Sequence, residues 1–139
     1  MRRWLVLLSL AGCNAQAETQ WFTVTGNPDD ASVDTVQVDP VATKSEGKLR
    51  TMNVRVSRKT QRFNWEQVPY RSYESSVVFD CRARKASYIH ATFYPTPLWQ
   101  GPPNKTSDYA GSPPPMLFRD VEPNPTNRII RAACQVTAG

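Results

Sequence analysis

The sequence predicts an α+β fold, in which a small antiparallel β-sheet packs against one helix at the carboxyl end of the chain. Short segments of alternating apolar and polar residues, separated by turn residues, are typical of a sheet with one packed face. Near the carboxyl end the apolar residues change to a helical spacing. The chain has 139 residues, of which 40% are apolar, so we expect one domain.

The alternating segments define the predicted sheet, because each places its apolar residues on one face. We expect Ile89, Ala91 and Phe93 to share the core face of one strand, with His90 on the opposite face. That strand and the one before it form a hairpin that turns through residues 82–85. The predicted strands are residues 21–25, 32–39, 48–58, 75–81 and 86–94, with a short edge strand at 116–121.

Residues 95–115 interrupt this pattern. Seven of them are proline, and glycine, asparagine and serine recur among the others, so a loop is predicted. Trp99 and Tyr109 within it are a candidate binding feature, since a proline-stiffened backbone loses little entropy on docking. The alternative is that both rings only fill space against the sheet.

A helix is predicted to begin at Asn124 and Pro125, which are residue types preferred at the N-cap and at the first helical position. Its apolar stripe is expected to face the sheet. The stripe consists of Ile129, Ile130, Ala133 and Cys134.

The amino terminus has the pattern of an export signal. Two arginines precede an apolar run at residues 4–12, which is too short for a transmembrane helix of about 20 apolar residues. Cleavage at an A-x-A motif would make residues 1–17 a signal peptide and release residues 18–139 as a soluble periplasmic domain. Cleavage after residue 12 would instead leave Cys13 as the lipidated first residue, and the domain would be tethered to a membrane.

Two cysteines remain once Cys13 is cleaved off or lipidated. In an oxidising compartment we expect Cys81 and Cys134 to form a disulfide. A bond across these 134 minus 81, or 53, positions would stabilise the fold by roughly 4 kcal/mol. The alternative is a pair of buried free thiols, which are uncommon in exported proteins.

Several of these elements together resemble the bacterial surface-adhesin protein E family. The matching elements are Trp21, residues 34–39, Phe79-Asp80-Cys81, and residues 121–126 running into a helix that ends in Ala133-Cys134. The resemblance covers nearly all of residues 18–139 and implies a sheet of about six strands with a disulfide-linked carboxyl-terminal helix. It also implies adhesion to host extracellular proteins. Residues 95–115 depart from the family pattern.

The strongest candidate for a binding surface is a stretch in which cations alternate with aromatic residues. Cations beside exposed aromatic rings favour protein surfaces and polyanions. The alternative interpretation is that the rings cover the sheet while the charges solvate its outer face. The candidate residues are Arg55, Arg58, Lys59, Arg62, Trp65, Tyr70 and Arg71.

No catalytic or cofactor motif is recognised. His90 is the only histidine, and no second group is paired with it at a catalytic spacing. Metal-binding spacings are also missing, and the two usable cysteines are better explained by each other. We therefore predict a binding protein without cofactor or enzymatic activity, located in the periplasm or at the outer membrane and cell surface.

The predicted partner is a protein or an acidic glycan, at the cell envelope or on a host surface. Loss of Arg2 and Arg3 leaves 15 basic against 12 acidic residues, and nucleic acid is not expected in this compartment. Membrane contact is expected only through a lipid on Cys13, and an uncovered edge strand would allow a homodimer. The alternative function is that of a periplasmic accessory or structural protein of the envelope.

Overall fold

The protein is an antiparallel sheet with a helix packed on it, seen in a computed structural model that describes residues 19–135. The strands are β1 Phe22–Thr25, β2 Thr35–Val38, β3 Lys44–Glu46, β4 Leu49–Phe63, β5 Pro69–Asp80, β6 Lys85–Tyr94 and β7 Lys105–Asp108, and the helix is α1 Thr126–Gln135. The strand order is β1-β2-β4-β5-β6-β7, with β3 paired to β4. The predicted fold class is confirmed, with seven strands in the described residues instead of about six. The predicted export signal, its cleavage sites and Cys13 lie outside the described residues.

The centre of the sheet is the hairpin of β4 and β5. Its register runs from the pair Leu49–Asp80 at one end to the pair Phe63–Pro69 at the other. Strand β4 extends beyond its predicted end, because an irregularity after Ser57 allows pairing to resume at Arg62. Alternation defines a buried inner face and an opposite outer face, as predicted. The inner face of β4 carries Met52, Val54 and Val56, which are all fully buried.

Strand β6 contains a bulge that changes the predicted pattern. Neighbouring residues of β5 pair with Tyr88 and with His90, so Ile89 has no partner opposite it. The alternation changes phase at this point, and Tyr88 turns to the inner face while Ile89 is only half-buried. The prediction that Ile89 shares the core face is therefore wrong, whereas Ala91 and Phe93 are buried there as expected.

The proline-rich segment 95–115 contains regular structure as well as loop. It includes a short 3-10 turn at Pro97–Trp99 and strand β7, which pairs with the end of β6. The edge strand predicted at 116–121 is wrong, since this segment joins the sheet through an isolated bridge at Pro115. The prolines at 113–115 lack the N–H groups that a ladder of hydrogen bonds requires.

Helix α1 begins one residue later than predicted. The N–H of Ile129 donates to the carbonyl of Pro125 at 2.9 Å, which is the first helical hydrogen bond. The side chain of Asn124 accepts a hydrogen bond from the N–H of Thr126, also at 2.9 Å. The apolar stripe is confirmed, and its buried residues are Ile129, Ile130 and Ala133.

The predicted disulfide between Cys81 and Cys134 is present. Cys81 directly follows β5, so the bond fastens the last turn of α1 to the Leu49–Asp80 end of the central hairpin. The inner face changes character toward the other end of that hairpin, where buried aromatic residues predominate. These residues are Tyr70, Tyr73 and Phe93.

Candidate functional site

A cavity of about 460 Å³ opens at the aromatic end of the inner face. Strands β4, β5 and β6 line it together with the segment that follows Pro115. Many of its rings come from β5 and β6, where the bulge beside Ile89 turns Tyr88 to the inner face. The aromatic lining residues are Phe63, Trp65, Tyr70, Tyr73, Tyr88, Phe93 and Phe118.

The rings of the cavity wall contact one another in tilted and edge-to-face geometries. The ring centroid of Tyr73 lies 5.6 Å from those of Tyr70 and Phe93 and 5.8 Å from that of Tyr88. Trp65 in turn lies 5.7 Å from Tyr88. Each such pair contributes about 0.5–1.5 kcal/mol beyond the burial of its area. The wall is therefore a packed aromatic cluster.

Three large apolar side chains at the rim of this cavity remain accessible to solvent. Phe63 is 60% exposed, Trp65 56% and Leu117 39%. Trp65 is supported by Tyr109, 5.4 Å away, whose hydroxyl donates to the carboxylate of Glu66 at 2.8 Å. Burial and the neighbouring Glu66 raise the pKa of Tyr109 to about 12, so it remains a neutral donor. Clustered exposed apolar side chains around a concavity are typical of a binding site.

Two buried phenols form part of the wall. The hydroxyl oxygens of Tyr73 and Tyr88 lie 2.5 Å apart and share a hydrogen bond. Burial raises the pKa of both phenols well above the ordinary value of 10. Both hydroxyls are therefore protonated at neutral pH.

Arg58 is fixed between two carboxylates from distant parts of the chain. Its Nε donates to Asp34 at 3.0 Å and its Nη2 to Asp120 at 2.6 Å, and its side chain is only 8% exposed. Burial alone would lower the pKa of the guanidinium, but the bonds to Asp120 and Asp34 raise it above its ordinary value. Arg58 therefore holds the segment after Pro115 against β4, and its charge is balanced within the protein.

Two other arginines of the lining lie nearer to solvent. Arg62 is partly exposed and pairs with Asp120. Burial would raise the pKa of Asp120, but the bond to Arg58 and the charges of both arginines hold it below its ordinary value. Arg119 is exposed and forms no ion pair within residues 19–135. The rim is therefore positively charged.

Arg55 lies on the outer face, away from the cavity. Its guanidinium carbon is 4.5 Å from the ring centroid of Trp21 and 3.9 Å from that of Trp99. The Nε of Arg55 donates to the side chain of Gln37 at 2.7 Å. Burial lowers the pKa of this guanidinium. The contact joins the start of the sheet to the proline-rich segment, and Trp99 takes part in it as packing.

The predicted surface is divided by the fold. Arg71 donates to the backbone carbonyls of Arg58 and Ala31, at 2.9 and 3.1 Å, and braces the chain there. Lys59 is exposed, and its backbone N–H donates to Asp34 at 3.0 Å. The structure brings Arg58, Arg62, Trp65 and Tyr70 to the cavity and leaves Arg55, Lys59 and Arg71 outside its lining.

Several lining residues were not connected with the site by their sequence pattern. The sequence pattern predicts Phe93 as core and gives Tyr88 no role, and it makes Leu117, Phe118 and Arg119 part of an edge strand. The mixture of apolar and charged residues at 116–120 was the one sequence feature that could have indicated a binding segment. The same mixture is typical of an edge strand, so it does not distinguish the two. Tertiary structure places this segment beside the end of β4.

A metal centre is another kind of site that residues 19–135 could carry. In that range no three His, Cys, Asp or Glu side chains are grouped so that they could hold a metal ion. His90 is exposed on β6 and is not part of the cavity lining. None of the helices in the described part of the chain has the length and apolar character needed to span a bilayer.

The chain matches a known protein family. The model of the family described as surface-adhesin protein E matches residues 21–135, which includes every described strand and the helix. The resemblance found from the sequence motifs is thereby confirmed. No curated protein and no solved structure matches the chain.

Proposed function

Since the chain belongs to the surface-adhesin protein E family, we propose that it is an exported surface protein that binds a macromolecular partner non-covalently. The proposed binding surface is the rim of the aromatic cavity, formed by Phe63, Trp65, Leu117, Arg62 and Arg119. We refer to these five residues as the aromatic rim.

The main support for this proposal is that exposed apolar side chains and cationic side chains lie together at the rim of one cavity. Exposed rings rarely cluster on a protein surface without a partner, and Trp and Arg are the residues most enriched at the energetic centres of interfaces. The rings are prepared for binding, because the packed wall beneath them limits the entropy that they lose on contact.

The charge of the rim supports an acidic partner. Arg119 is exposed without an ion pair in the described range, and Arg62 shares its carboxylate with Arg58. A protein with an acidic patch or an acidic glycan therefore suits the surface, and its attraction is expected to weaken as salt is added. We therefore propose that the protein binds this partner without catalysing a reaction.

A direct test offers immobilised extracellular-matrix proteins and acidic glycans to the protein at low salt. We expect binding to at least one of them, and we expect Trp65→Ala to weaken it by about tenfold or more. Phe22→Ala is a matched control, because Phe22 is an aromatic residue of β1 that is 57% exposed and distant from the cavity. Indifference of the protein to every immobilised partner would contradict the proposal, as would equal losses in both variants.

Export to the outer surface is a separate part of the proposal and has its own test. Protease treatment of intact cells should digest the protein if it is displayed outside. Survival of the protein in intact cells, together with digestion after the envelope is opened, would favour the periplasmic accessory role instead.

A further inference from the structure

Buried hydrogen-bond donors in the cavity wall lack acceptors among the described residues. The hydroxyls of Tyr73 and Tyr88 carry two protons but share one hydrogen bond, so one proton is left over. The Nδ2 of Asn64, a residue only 6% exposed, also has no partner. Its orientation is fixed, because its Oδ1 accepts from the N–H groups of Glu66 and Val68 at 3.0 and 2.8 Å. Buried donors of this kind are rare in folded proteins.

The acceptors of the cavity are, by contrast, largely in use. Asp120 is the only carboxylate among the described lining residues, and it already accepts from Arg58 and Arg62. Gln67 adds an amide, but it is exposed. Arg119 contributes a further positive charge. The cavity therefore presents donors and cations to a ligand, and the ligand must supply the acceptors.

We propose that the cavity binds a small aromatic carboxylic acid whose ring carries an acceptor oxygen. The carboxylate lies at the rim with Arg62 and Arg119, where it remains partly solvated. The ring packs among the aromatic walls, and its oxygen accepts the spare proton of the Tyr73–Tyr88 pair. The volume of about 460 Å³ is within the range of small-molecule sites, roughly 300–1,000 Å³.

Two related classes of ligand suit the cavity less well. A sugar acid carries several hydroxyl groups that need acceptors as well as donors, and the acceptors here are committed. A saturated fatty acid would leave the spare tyrosine proton unpaired beside its hydrocarbon chain. The inference goes beyond the proposed function and does not depend on it. The ligand shares Arg62 and Arg119 with the aromatic rim, but its ring lies inside the cavity.

Three matched probes test the inference by calorimetry on the full-length, disulfide-bonded chain. The first is para-methoxyhydrocinnamate; the second is para-ethylhydrocinnamate, which has the same shape without the ring oxygen; the third is the alcohol corresponding to the first. We expect one molecule of the first probe to bind per chain, at least about tenfold more tightly than either of the others. Glucuronate, titrated separately as a sugar acid of the same charge, should bind more weakly than the first probe. Failure of the first probe to bind, equal affinities for all three probes, or tighter binding of glucuronate would overturn the inference.

Variants test which residues contact the ring oxygen of the ligand and which contact its carboxylate. The double variant Y73F/Y88F keeps both rings and should lose the preference for the methoxy over the ethyl probe. Arg119→Gln should lose most of the preference for the acid over the alcohol, whereas Arg82→Gln, in the exposed turn between β5 and β6, should keep it. An equal loss in both arginine variants would refute the assigned position of the carboxylate.

NMR gives the position of the bound probe without the use of variants. The indole N–H signal of Trp65 should shift on addition of the first probe, while that of Trp99 on the outer face should not. A shift of Trp99 alone would place the ligand elsewhere and overturn the inference. No macromolecule is present in these titrations, so their failure would leave the proposed binding at the aromatic rim untouched.

Discussion

The Nη2 of Arg58 lies 2.6 Å from Oδ2 of Asp120, a residue 62 positions further along the chain. The contact joins the central strand β4 to the segment that lines the far part of the cavity. Because Arg58 also binds Asp34, one buried cation connects three segments that are distant in sequence. This contact fixes the shape of the candidate site.

We predict that Arg58→Met destabilises the fold by about 3 kcal/mol, because it leaves Asp34 without its cation and Asp120 with Arg62 alone. The value is at the low end for a broken buried pair, since the side chain of Asp120 is 38% exposed and partly screened. Urea denaturation measures the change. Arg82→Met removes an exposed cation in a turn and is expected to change stability by less than about 0.5 kcal/mol. Similar losses in the two variants would contradict a structural role for the Arg58 pair.

The same contact predicts a pH dependence. The pKa of Asp120 is lower in the folded protein than its ordinary value, so ionised Asp120 stabilises the fold above the unfolded pKa, about 3.9. This stabilisation is lost as pH falls through the folded pKa. The difference in unfolding free energy between the natural protein and Asp120→Asn should therefore be constant near neutrality and shrink below about pH 4. A difference that is unchanged in acid would show that the charge of Asp120 does not matter.

Loss of the disulfide should loosen the helix that it holds. We predict that Cys134→Ala costs roughly 4 kcal/mol, lowers the melting temperature, and speeds hydrogen exchange in residues 127–135. The unmodified protein in reductant is the matched control and should behave like the variant. Unchanged exchange in the helix would mean that packing alone holds it on the sheet.

The buried phenols predict an alkaline limit of stability. The pKa values of Tyr73 and Tyr88 are raised by burial, so the folded state keeps protons that the unfolded state releases near pH 10. Stability is therefore complete below pH 10 and should fall as pH rises above it. Ultraviolet titration should show that these two phenols ionise only when the protein unfolds. In Y73F/Y88F this alkaline loss of stability should be smaller. An unchanged loss would show that Tyr73 and Tyr88 are not its cause.

Much of the fold follows from local pattern. The alternation of Met52, Val54 and Val56 identified the central strand, and the stripe that ends in Cys134 identified the helix and its buried side. These features depend on neighbours in sequence, and a single sequence displays them. The count of usable cysteines then fixed the one long-range link, because two thiols allow one pairing.

The features that the sequence analysis missed or mispredicted depend on contacts between residues that are far apart in sequence. Strict alternation places Ile89 in the core. The bulge in β6 moves it out, and this bulge depends on how β6 pairs with β5, which the sequence of β6 alone does not reveal. No cavity was predicted from the sequence. Its pattern placed Arg62 and Trp65 in a basic and aromatic stretch, and Arg119 in a segment that was interpreted as a strand. Its position depends on the ion pairs of Arg58, which connect residues far apart in sequence.

The disulfide and the Arg58 ion pairs fasten opposite ends of the central hairpin by different chemistry. A reductant breaks the first and acid weakens the second, so each end can be released while the other stays closed. The helix and the wall of the cavity are thus expected to loosen under different conditions.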